Sequence, residues 1–164
     1  VPVILRPVNR VSHARQNVAL LPVARKVEDP PVDITVLSFD ERMALLAEEV
    51  KNNPPFTQQS VSEFSKADFG ILASGMAYHV ALDILKRLHL DTTVPVLKLG
   101  MFYPFPDKFV QEYVSKLKRV LILEEPDKGI EWQLDVSEKI LGRESGHVPS
   151  EGELNTDRVF DVLA

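Results

Sequence analysis

The chain reads as an α/β protein, a three-layer α/β/α sandwich around a mostly parallel (mixed) sheet. Three observations carry that expectation. Apolar runs recur that are too short to be helices, and each is followed by an amphipathic segment of helical period. The runs are nearly unbroken and do not alternate, as expected of strands covered on both faces. Strand followed by helix, repeated, implies parallel pairing through right-handed crossovers.

In chain order, residues 1–5 form a short apolar strand that Pro2 confines to an edge or a strand start. A polar stretch follows over 9–17, then a second extended segment over 18–23. The charges and the Pro30-Pro31 pair within 26–31 mark a loop or boundary. Residues 34–39 read as a strand, with Asp40 as N-cap of a helix over 41–51 that turns Met43, Leu46, Ala47 and Val50 inward. That helix stops before Pro54, because the residue preceding a proline avoids helical geometry. The polar stretch 54–65 is a connector.

From Asp68 the pattern becomes regular. A strand over 69–73 turns at Ser74-Gly75 into a helix over 76–88, with Ala77, Val80, Ala81, Ile84 and Leu88 on one face. The strand 94–99 is apolar apart from Lys98, and the loop 100–106 leads to a helix over 107–118 with Phe109, Val110, Tyr113, Val114 and Leu117 inward. Residues 120–123 form a strand closed by Glu124-Glu125. A helix over 129–141 is expected next, then a last short helix within 154–163, capped by Thr156.

Composition excludes several classes. The formal charge of −5 is wrong for a general nucleic-acid binder, which needs a basic face. No apolar run approaches the roughly 20 residues of a membrane helix, and residues 1–6 lack the three-part layout of a signal peptide. A cytoplasmic protein is expected. With no cysteine, the chain has no disulfide, thiolate nucleophile or iron–sulfur ligand, and its 4 histidines are not at ligand spacing. No metal or catalytic residue is assigned.

Ligands of parallel α/β sheets bind beyond the carboxyl ends of the strands, where three loops fall here. Ser74-Gly75 opens a helix whose free amides suit a phosphate or carboxylate, although it lacks the glycines of a dinucleotide or Walker loop. The loop Met101-Phe-Tyr-Pro-Phe-Pro106 places Tyr103 and Phe105 either at an interface or, for Phe102 and Phe105, back in the core. Of Glu124 and Glu125, one caps the following turn and the other is solvated. Arg6, Arg10 and Arg15 with Ser12 and His13 form a basic segment able to bind a carboxylate or phosphate, or simply a polar loop between domains.

Taken as an ordered series, Val3-Ile-Leu-Arg6, Arg10-Val-Ser-His13, Gly70-Ile-Leu-Ala-Ser-Gly75, Leu97-Lys-Leu-Gly100 with Tyr103-Pro104, Val120-Leu-Ile-Leu-Glu-Glu125 and Gly152-Glu-Leu154 resemble one family. It is the thiamine-diphosphate-dependent 2-oxoacid:ferredoxin oxidoreductases, most closely the large (alpha) subunit of indolepyruvate ferredoxin oxidoreductase. The resemblance implies that residues 1–33 are the tail of a pyrimidine-binding domain and that 34–164 are a transketolase C-terminal-like domain, a domain that does not itself hold the cofactor. It implies a parent enzyme that converts an aryl-pyruvate to acyl-CoA, using thiamine diphosphate, magnesium and iron–sulfur clusters, with coenzyme A as co-substrate. Its partners would be the other domains of the subunit, a smaller beta subunit and ferredoxin as electron acceptor. The isolated piece is expected to be inactive and structural, with Ser74, Gly75, Tyr103, Phe105, Arg10 and His13 as its anion-binding or interface residues. The alternatives are the equivalent domain of a pyruvate or other 2-oxoacid oxidoreductase, and a freestanding anion-binding module.

Overall fold

The structure, a computed structural model, describes residues 36–52, 58–59, 67–101, 103–134 and 137–163. The strands expected over 1–5 and 18–23 lie outside the described residues. The chain divides into two compact units, Val1–Leu37 and Ser38–Ala164. The second contains α1 (Phe39–Asn52), β1 (Gln58–Gln59), β2 (Phe69–Ser74), α2 (Gly75–Arg87), β3 (Val96–Leu99), α3 (Asp107–Ser115), β4 (Arg119–Leu123), a 3-10 turn (Glu131–Gln133), β5 (Ile140–Leu141) and α4 (Thr156–Leu163).

The sheet runs β1-β3-β2-β4-β5. β2 pairs in parallel with β3 and β4, and β4 with β5, while β1 closes the edge of β3 in antiparallel fashion. Strand side chains alternate between two cores. Ile71, Ala73, Val96, Leu121 and Leu123 pack beneath α2 and α4. Leu72, Leu97, Leu99, Val120 and Ile122 pack beneath α3, with Ile130 and Leu134 from the stretch after β4. Helices on both faces of a mixed, mainly parallel sheet are the three layers expected. Tyr113 ties the layers by donating its hydroxyl to the carbonyls of Ile71 (2.9 Å) and Pro95 (2.8 Å), and this burial raises its pKa well above the ordinary tyrosine range.

Several boundaries differ from expectation. Phe39 is the first helical residue of α1 and not the end of a strand. The cap is Ser38 and not Asp40: the Ser38 amide donates to Glu41 Oε2 (2.8 Å) and the Glu41 amide to Ser38 Oγ (3.3 Å), a capping box. Asp40 falls inside the first turn, where it still favours the helix dipole. Of the face expected to turn inward, Val50 is buried but Leu46 and Ala47 are exposed. α2 ends one residue early because His89 adopts a left-handed φ of 57°, so Leu88 is left partly exposed while Tyr78 and Leu85 complete the buried stripe. α3 stops at Ser115, and the amides of Lys118 and Arg119 turn to the Asp68 carbonyl (2.8 and 3.0 Å).

The largest correction falls after β4. No helix spans 129–141: one 3-10 turn is followed by β5, which adds to the sheet beside β4. The reason is polar. Glu124, at the end of β4, takes the amides of Ile130 (2.6 Å) and Glu131 (3.0 Å). Glu131 in turn takes the amides of Arg143 (2.7 Å) and Glu144 (2.9 Å). Gly142 lies against it, and a Cβ there would push the Glu131 carboxylate out of its present place. In α4 the cap is Asn155 and not Thr156, with the Arg158 amide donating to Asn155 Oδ1 (3.0 Å).

Candidate functional site

Sheet topology selects the location. From the central β2 the chain crosses to β3 on one side, and from β4 to β5 on the other. The crevice between the carboxyl ends of β2 and β4 is therefore the topological switch point, where open α/β sheets bind ligands. The register sets the residues abreast: Ser74 beside Leu99, and Ala73 beside Leu123, so Ser74 and Glu124 end neighbouring strands at one level.

Ser74 is 6% exposed and stands at the N-cap of α2, yet makes no side-chain cap bond. Gly75 follows with φ of 55°, a left-handed conformation that disfavours side chains, and an added Cβ would meet nothing within 4 Å. The first turn of α2 carries no acidic residue. On the adjoining strand, Lys98 Nζ lies 3.3 Å from His79 Nε2 and 5.0 Å from the centre of the Tyr78 ring. Burial first, and then the Lys98 charge, holds the His79 pKa below its ordinary value, so the imidazole is a neutral acceptor for the ammonium.

In the loop after β3, the Tyr103–Pro104 peptide is cis and Tyr103 is 69% exposed, whereas Phe105 folds back against the α3-side core. The loop thus separates the two aromatics. Phe102 lies outside the described residues, as do Arg10 and His13 with the rest of the basic segment. After β4, Glu124 is buried and caps the following turn, as expected of one of the two carboxylates; the raising effect of burial on its pKa outweighs the lowering effect of its amide partners. Glu125 is not simply solvated, since it accepts the Leu154 amide and pins the approach to α4. Among the described residues no group of three or more His, Cys, Asp or Glu is placed to hold a metal ion, and no helix is long and apolar enough to cross a membrane.

Comparison with known proteins adds a relationship. The chain is similar to the indolepyruvate oxidoreductase subunit IorA of Methanothermobacter marburgensis, at 32% identity over 188 residues covering 100% of this chain and 29% of that one. The IorA of Methanothermobacter thermautotrophicus is 32% identical over 185 residues, covering 95% and 28%. That of Archaeoglobus fulgidus is 28% identical over 176 residues, covering 99% and 28%. The chain is homologous to the IorA subunits along nearly its whole length. This bears out the family read from the ordered motifs. The chain spans less than a third of the length of these relatives. No family model matches it. Among solved structures, a 2-oxoglutarate:ferredoxin oxidoreductase from Magnetococcus marinus, with 2-oxoglutarate, coenzyme A and succinyl-CoA bound, superposes with a TM-score of 0.48 at 16% identity, covering 64% of this chain and 20% of that one.

Sequence reasoning missed two features of this edge. The Lys98–His79 contact carried one visible signal, a lone charge in an apolar strand. Trp132, 68% exposed with Lys128 Nζ 5.9 Å from its ring centre, was hidden inside the helix expected over 129–141.

Proposed function

We propose that the chain is the transketolase C-terminal-like part of the large subunit of an indolepyruvate-type 2-oxoacid:ferredoxin oxidoreductase, and that its role is architectural. The observation that carries this reading is the full-length homology to a segment of the IorA subunits. The parent reaction joins the acyl carbon of an aryl-pyruvate to coenzyme A, releases the carboxylate as carbon dioxide and passes the electrons to ferredoxin. Thiamine diphosphate with magnesium, bound elsewhere in the parent, supplies the carbanion chemistry. Iron–sulfur clusters also belong elsewhere, because this chain has no cysteine to ligate one. Residues 1–33, with Arg10 and His13, would close the pyrimidine-binding domain, and 34–164 would pack against the cofactor domains.

Two exposed aromatics on carboxyl-edge loops, Tyr103 and Trp132, support a docking role for that edge. Exposed aromatics of this kind act as interface anchors, while Phe105 holds the loop to the core from beneath. In the full-length enzyme, Tyr103→Ala is expected to weaken subunit assembly about tenfold or more, read by sedimentation or native mass spectrometry. Unchanged assembly would remove the docking role. The 164-residue chain is expected to give a flat calorimetric titration with thiamine diphosphate and magnesium. Micromolar binding would overturn the domain assignment.

A further inference from the structure

We propose that Lys98 is a site of Nε-acylation by a thioester, with His79 as the base that serves it. Lys98 is the lone charge of β3. Leu97 and Leu99 pack on the α3 side of the sheet, so Lys98 shares the α2 face with Val96. There its Nζ lies 3.3 Å from His79 Nε2 and 5.0 Å from the centre of the Tyr78 ring. The two rings are neighbours on α2, with centroids 5.2 Å apart and planes at 80°, so the ammonium meets an imidazole nitrogen and an aromatic face at once. Two contacts on a rigid helix fix the position of the amine beside its base, which is the condition for an efficient local proton transfer.

The other lysines differ in their partners. Lys51, Lys116, Lys118 and Lys128 are each bridged to a carboxylate, from Glu48, Glu112, Asp68 and Glu144. A carboxylate favours the ammonium form and is a weak base near neutral pH. The His79 imidazole is neutral, held so by burial and by the Lys98 charge, and its nitrogen takes a proton readily. His79 is itself exposed, which leaves the pair open to a reagent from solvent. In the unprotonated fraction, the Lys98 nitrogen attacks the thioester carbonyl. The N–C bond forms, His79 Nε2 removes the proton that the nitrogen sheds, and the C–S bond breaks. The departing thiolate takes that proton back from the imidazolium. An amide and a free thiol result, with no redox change and His79 neutral again. Acyl-coenzyme A is the product of the parent reaction proposed above, and the identity of the acyl donor rests on that reading. Lys98 is abreast of Ala73, one residue short of the strand ends at the switch point of the sheet, so a ligand in that crevice lies close to it.

The test incubates the 164-residue chain with phenylacetyl-coenzyme A at mildly alkaline pH and follows acyl occupancy of each lysine by peptide mass spectrometry. Lys98 should be acylated about tenfold faster than the bridged Lys118 and Lys128. His79→Gln keeps a side chain that can accept a hydrogen bond from the ammonium but cannot take its proton. That variant should slow Lys98 to the rate of the other lysines, while Lys118, Lys128 and the melting temperature stay unchanged. Equal rates at Lys98 and the bridged lysines, or a Gln variant that acylates Lys98 as fast as the unaltered chain, would overturn the proposal. The thioester is supplied directly, so either result is independent of the parent reaction, and the architectural reading is decided by assembly alone.

Discussion

The centre of the sheet and the segment from Glu124 to Leu154 are held by different forces. In β2, β3 and β4, residues such as Ile71, Leu72, Leu97 and Ile122 are 0–1% exposed and contact other apolar side chains on both faces. Beyond β4, strand β5 is only two residues long, and the path of the chain is set by carboxylates that collect backbone amides. Glu124 fixes the 3-10 turn, Glu131 fixes the turn at Arg143 and Glu144, and Glu125 fixes the approach to α4. Burial of apolar area tolerates many sequences and announces itself as a pattern. Carboxylate anchoring depends on two or three atoms meeting across distant residues, and leaves almost no pattern.

The contrast can be broken by substitution. Leu97→Ala should produce the largest loss, about 2–5 kcal/mol from transfer and cavity terms, visible in urea unfolding. Glu131→Ala should cost less, about 1–2 kcal/mol, through the two part-buried amides it leaves without their acceptor. It should also speed hydrogen exchange at Arg143 and Glu144 while leaving β2 protected. If exchange rose equally in β2, the two regions would be one cooperative unit and the distinction would fail.

The smallest effect is a pH dependence. The folded chain keeps Glu124 protonated to higher pH than the unfolded chain does, because burial raises its pKa above the ordinary glutamate value of 4.5. Between that value and the raised one the folded state binds more protons, so the contribution of this group is complete at the acid end and is lost as pH rises through the folded pKa. Glu124→Gln should flatten that part of the stability profile, read as urea midpoints across the acid range. An unchanged slope would mean that Glu124 is ionised throughout.

The same division governs what could be read in advance. The apolar runs at 69–73, 94–99 and 120–123 and the amphipathic pattern of α2 were legible, and with them the location of Ser74-Gly75 and of the loop bearing Tyr103 and Phe105. Caps were legible only as a choice among neighbours: Ser38 and Asn155 took the positions expected of Asp40 and Thr156, because the reciprocal bond to Glu41 and the bond from Arg158 decide between adjacent polar residues.

The sequence by itself therefore determined the fold class, the alternation of central strands with helices and the likeness to the IorA subunits, since these follow from local periodicity and from motifs in series. Tertiary structure alone decided that 129–141 is a turn and an edge strand, and that Tyr103 faces out while Phe105 faces in. It also decided that Lys98 meets His79 rather than a carboxylate. Each of these depends on a partner far away in sequence, and an amide or a charge settles on whichever acceptor the packed sheet brings within about 3 Å.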